Sequence, residues 1–114
     1  MAANSSTPAP ELALRTDKNA EETVVYASGR ITLAMSSLLH KTIRDLIPGT
    51  KRIVLDLADV TYIDSTGIGA MVGVYLSASR AQCEFKVVNA QPRIRDLFEI
   101  TKLRAIFEDT HASD

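Results

Sequence analysis

The sequence predicts an α/β domain: a mixed central β-sheet with parallel core strands and packed helices, in the order β-β-α-β-α-β-α-β. Three observations carry that prediction. Segments with apolar residues at helical spacing alternate with short runs rich in β-branched and aromatic residues. The run Ile53-Val54-Leu55 is continuously apolar, as expected of a central strand covered on both sides. Right-handed crossovers through the intervening helices then make the strands they connect parallel.

Residues 1–10 are Ala, Asn, Ser, Thr and Pro after the initial Met, a composition that cannot bury surface and is expected to form a flexible tail. Leu12-Ala13-Leu14 reads as a short strand, Asp17-Lys18-Asn19 as a turn, and Thr23 to Ala27 as a stronger strand that Ser28-Gly29-Arg30 ends. From Thr32, a plausible N-cap, the period changes: Met35, Leu38, Leu39, Ile43, Leu46 and Ile47 share one helical face, and Pro48-Gly49 stops the helix. After the Ile53–Leu55 strand, Asp64, Ser65 and Thr66 are all residues that cap helix N-termini, so a helix is expected from Ser65 to about Arg80. Phe85 to Val88 is a further strand, and Asn89-Ala90-Gln91-Pro92 opens a helix whose apolar face is Ile94, Leu97 and Phe98. Ala105-Ile106-Phe107 reads as a last short strand, and residues 109–114 as a second flexible tail.

The central helix is the unusual element. Ile68, Met71, Val72, Tyr75 and Leu76 form one apolar stripe, expected to face the core. The opposite face carries Thr66, Ala70, Gly73, Val74 and Ser77, and no residue between Asp64 and Arg80 is charged at neutral pH. A solvated helix normally carries Lys or Glu there. Either another part of the fold covers this face or a partner protein does, since small side chains admit a second backbone and an uncharged patch is cheap to desolvate. Helical glycines cost roughly 0.5–1 kcal/mol each relative to Ala, which calls for some such reason.

A chain of 114 residues, 46% hydrophobic, is one ordinary domain with a single core. Thirteen basic and 14 acidic residues are interspersed for a net charge of −1, which speaks against nucleic acid or a membrane surface as partner. Cys83 is the only cysteine, which fits a reducing cytoplasm. No apolar run reaches the ~18–20 residues of a membrane span. His40 and His111 have no ligand-spaced companions, so neither a metal nor a cofactor is expected, and His40 reads as a solvated residue. Ser65 lacks the G-x-S-x-G elbow of a hydrolase, and no catalytic residues are assigned. Gly67-Ile68-Gly69 followed by Gly73 is similar to a stretched dinucleotide fingerprint and keeps nucleotide binding as an alternative. Ser65 itself is either an N-cap or a regulatory phosphorylation site at the mouth of the helix.

Gly29-Arg30-Ile31-Thr32, Arg52-Ile53-Val54-Leu55-Asp56-Leu57 and above all Val60-Thr61-Tyr62-Ile63-Asp64-Ser65-Thr66-Gly67-Ile68-Gly69 resemble the anti-sigma-factor antagonists of bacteria, which are STAS-domain proteins. The similarity continues through Phe85-Lys86-Val87-Val88-Asn89 and Ile100-Thr101-Lys102-Leu103, giving a STAS domain over residues 11–108. The resemblance implies a STAS fold and a partner-switching module. The serine after the aspartate, Ser65, would be phosphorylated by an anti-sigma factor that is also a serine kinase, with Thr66 the second choice, and a PP2C-type phosphatase would remove the phosphate. The unphosphorylated form would bind the kinase and release the sigma factor, through Asp64, Thr66, Gly67, Gly69, Ala70, Gly73, Ser77, Arg30 and Thr32. Thr32 departs from the acidic residue many relatives carry, and the further C-terminal helix of most relatives is not expected here. STAS domains also serve transport complexes, so the alternative is a nucleotide-binding STAS domain, or a subunit of a transport or signalling complex without phospho-switching.

Overall fold

The computed structural model describes residues 11–103. Four strands form one sheet in the order β1 (Leu12–Asp17), β2 (Thr23–Ile31), β3 (Arg52–Ile63) and β4 (Glu84–Val88). β1 runs antiparallel to β2, while β2, β3 and β4 are mutually parallel, as the crossover helices require. Those helices are α1 (Leu33–Leu46), followed by a 3₁₀ turn at Ile47–Gly49, and α2 (Ser65–Arg80); α3 (Pro92–Ile100) follows β4. The expected last strand, Ala105 to Phe107, lies outside the described residues.

Alternation on the strands builds the core. Val25 pairs with Leu55, Ile53 with Phe85 and Leu55 with Val87, and all five are buried beneath α1 and α2, which lie against each other. Val54, on the other side of β3 from Ile53 and Leu55, is also buried at 8% exposure, in line with a strand covered on both sides. From α1 come Leu39 and Ile43; Leu38, assigned to the same face, is 44% exposed, because i+3 places it at the edge of the stripe.

Two boundaries and the rotation of one helix differ from the sequence reading. β2 does not stop at Ser28-Gly29-Arg30 but continues to Ile31 through two register shifts, between Tyr26 and Ser28 and between Gly29 and Arg30. Gly29 makes this possible: at φ +111° it takes a conformation other residues avoid, and a Cβ there would run into the Glu11 carbonyl, which accepts from the Arg30 N–H at 2.8 Å. β3 is much longer than its apolar run, and its extension carries the chain to Ile63, beside Ile31. On α2 the buried face is Gly67, Ile68, Met71, Val74 and Ala78. Val74 is therefore core rather than outer face, and Leu76, 46% exposed, is the reverse. The buried face is turned from the stripe that periodicity predicts, because α2 packs against α1 along one flank as well as on β3 and β4.

Candidate functional site

The site forms where β2 and β3 end side by side. Ile31 pairs with Ile63, and the Asp64 N–H donates to the Ile31 carbonyl at 3.1 Å, so the chain enters α1 and α2 from adjacent points. Asp64 keeps an extended backbone (φ −98°, ψ −178°) and is the N-cap of α2. Of the two roles open to Ser65, the N-cap therefore does not hold, since Ser65 is the first residue of the helix. Only a side chain one position earlier, still extended, can fold back on the first turn.

The Asp64 carboxylate serves both helices. Its Oδ1 accepts from the Gly67 N–H at 2.8 Å and from the Thr66 hydroxyl at 2.6 Å, and its Oδ2 accepts from the Leu33 N–H at 3.2 Å. The Thr66 hydroxyl foremost, then the Gly67 N–H, with smaller help from the Leu33 and Thr66 N–H groups, holds the carboxyl below the ordinary carboxylate range. Thr32 does stand at the N-cap position of α1 but makes no side-chain capping bond. Its hydroxyl points instead to Glu11 Oε1 at 3.5 Å, and the cap of α1 comes from Asp64. Ser65 is exposed, and its hydroxyl has no hydrogen-bond partner among the described residues.

From this point a shallow groove of about 240 Å³ runs between the helices, lined by Ser36, Ser37 and His40 of α1 and by Thr66, Gly69, Ala70 and Gly73 of α2. None of these carries a formal charge at neutral pH with the imidazole neutral. The glycines differ in kind. Gly67 is buried, and a Cβ there would collide with the Ile31 carbonyl, so it is needed for α2 to sit on the end of β2. Gly69 has nothing within 4 Å of where its Cβ would be, and Gly73 meets only His40 Nε2, at 3.8 Å. His40 is half-buried rather than the solvated residue expected: its Nε2 is buried and has no hydrogen-bond partner among the described residues.

Asp64, Ser65, Thr66, Gly69, Ala70 and Gly73 thus form one continuous strip, with Ser77 half-buried a turn further on. Arg30, exposed beside buried Ile31 at the end of β2, holds its guanidinium 4.5 Å from the centre of the Tyr62 ring and does not line the groove. Gly67 lies beneath the strip rather than on it. The contributions of Leu33, Ser36, Ser37 and His40 depend on how α1 lies against α2, and no spacing in the sequence signals them.

Residues 12–113 match the STAS domain family. The chain belongs to that family. The STAS relatives include the anti-sigma-B factor antagonist of Bacillus subtilis, 28% identical over 97 residues that span 85% of this chain and 89% of the relative. The anti-sigma-B factor antagonist of Listeria monocytogenes is 43% identical over 54 residues, 47% of each chain, so that match spans about half of the relative's length. Among solved structures, the anti-sigma factor antagonist SpoIIAA in its unphosphorylated form superposes with a TM-score of 0.73 at 17% identity, covering 83% of this chain and 85% of that one. Its phosphorylated form, from Bacillus, gives 0.67 at 17% identity over 83% and 88%. At such identity the likeness is one of fold, and it agrees with the mixed sheet and helices described above.

Proposed function

We propose that this STAS domain is a cytoplasmic, non-enzymatic anti-sigma-factor antagonist that works by partner switching. Unphosphorylated, it docks on an anti-sigma factor that is also a serine kinase and so releases the sigma factor; phosphorylation of Ser65 ends the docking, and a PP2C-type phosphatase resets it. The observation that carries this reading is the Ser65 hydroxyl, exposed and without a hydrogen-bond partner among the described residues, at the first residue of α2 and one residue before Thr66, where the uncharged groove begins. The likeness to anti-sigma-B factor antagonists, and the solved structures of SpoIIAA in both its unphosphorylated and phosphorylated forms, support it.

The physics is local. A phosphate at Ser65 adds about −1.5 to −2 charges. The N-terminal ends of α1 and α2 favour that charge, so the domain tolerates it. A partner surface matched to a neutral groove would have to desolvate the phosphate next to the Asp64 carboxylate. A coupling of about 1–3 kcal/mol, or roughly 5–150-fold in affinity, follows without any change of fold. The partner would meet Thr66, Gly69, Ala70, Gly73 and Ser77 along α2 and Arg30 and Thr32 at its head. Nucleotide binding at α2 is the weaker reading, because the carboxylate of Asp64 already accepts from the Gly67 N–H, one of the first-turn donors that a bound phosphate would use.

Affinity purification of tagged variants from the native host tests the proposal. Ser65→Ala should co-purify an ATP-binding serine kinase, whereas Ser65→Asp should lose it. Equal recovery on both variants, or none on either, would overturn it.

A further inference from the structure

Resting on that reading of Ser65, we propose that Asp64 is the positioning residue that selects which of two adjacent hydroxyls is phosphorylated. Ser65 and Thr66 are both exposed and both stand in the first turn of α2, so neither access nor the helix terminus separates them. What separates them is engagement. The Thr66 hydroxyl donates to Asp64 Oδ1 at 2.6 Å, a short bond to a charged acceptor, while the Ser65 hydroxyl has no partner among the described residues.

The carboxylate is itself fixed. Its Oδ1 also takes the Gly67 N–H from α2, and its Oδ2 takes the Leu33 N–H from α1, 31 residues away in sequence. It therefore cannot swing toward Ser65 without uncapping a helix. The discrimination is written by tertiary structure, through the meeting of the β2 and β3 ends, rather than by the local sequence alone.

In the transfer, the acceptor oxygen forms a bond to the γ-phosphorus of ATP, the bond from that phosphorus to the β–γ bridging oxygen breaks, ADP leaves, and the hydroxyl proton passes to a base on the kinase. For Ser65 every part of this is open. For Thr66 the proton already points at Asp64, and the γ-phosphate would have to bring its negative charge to an oxygen 2.6 Å from a carboxylate. Turning the hydroxyl outward forfeits a charge-assisted hydrogen bond, a handicap of about tenfold or more.

The test must remove any intrinsic preference of the kinase for serine, which Thr66→Ser does by offering two identical hydroxyls. Tagged full-length chains are expressed in the native host and their phosphate is located by tandem mass spectrometry. With Thr66→Ser alone, phosphate should stay on Ser65. With Asp64→Ala added, the share on position 66 should rise about tenfold or more, a change of site that loss of stability does not produce. Asp64→Asn with Thr66→Ser keeps a capping oxygen and should give a smaller rise, which decides the matter if the alanine variant does not fold. Phosphate confined to Ser65 in both double variants overturns the role of Asp64 and leaves the switch standing. A wild-type chain that carries no phosphate at either position overturns both.

Discussion

Asp64 and Leu33, 31 residues apart, are joined by a 3.2 Å hydrogen bond from the Leu33 N–H to Asp64 Oδ2. The bond makes one side chain the N-terminal cap of two helices, since Oδ1 simultaneously caps α2 through Gly67. Phosphorylation at the next residue would therefore act at the point where both helices are tied to the sheet.

The first consequence is a pH-dependent stability. Asp64→Ala should lower Tm by about 4–8 °C at pH 7, the usual effect of a lost cap in a domain of this size. Because the carboxyl of Asp64 is held below its ordinary value, its contribution is fully present above the unfolded value of about 3.9 and disappears as pH falls through the lower folded value. Melting curves of both proteins from pH 7 to pH 2 should converge only at the acid end. A constant difference across that range would remove the carboxylate from the explanation.

The glycines of α2 should respond with opposite signs. Gly67→Ala forces a Cβ into the Ile31 carbonyl and should cost about 1–3 kcal/mol. Gly69→Ala meets open space and should stabilise by roughly 0.5–1 kcal/mol through helix propensity. Chemical denaturation measures both, and a destabilised Gly69→Ala would mean that the groove is not open as described.

The rotation of α2 can be read from its core. Met71→Ala, at a fully buried position, should cost about 2–5 kcal/mol. Leu76→Ala, at 46% exposure, should stay within about 0.5 kcal/mol. Similar losses for the two would favour the stripe drawn from periodicity.

That stripe shows where sequence reasoning reached and where it stopped. The bounds of α2 were legible because Asp64-Ser65-Thr66 opens a helix by side-chain chemistry and the apolar pattern runs to Arg80. Its rotation was not, because Val72, Val74, Tyr75 and Leu76 leave several faces apolar, and only the packing of α2 on α1, β3 and β4 chooses Val74 for the core. The strip from Asp64 to Gly73 was legible for the same local reason, as small uncharged residues at helical spacing. The capping of α1 by Asp64 and the unpaired nitrogen of His40 beside Gly73 were not, since each joins elements far apart in sequence.

Gly73→Glu places a charge in the groove, and its Cβ comes no closer to a described residue than 3.8 Å, at His40 Nε2, so the domain should fold with near-native Tm. Binding to the kinase recovered on Ser65→Ala should weaken about 5–150-fold by calorimetry, the range expected for phosphate itself. Unchanged affinity would make the small-residue face merely structural.

The most direct measurement is the mass of the peptide that carries Ser65, taken from the wild-type chain purified from its native host and fragmented to locate any modification. The account predicts a fraction heavier by about 80 Da, with the phosphate on the Ser65 hydroxyl. A peptide that is unmodified in every growth condition, in a chain that also binds no kinase, would contradict it.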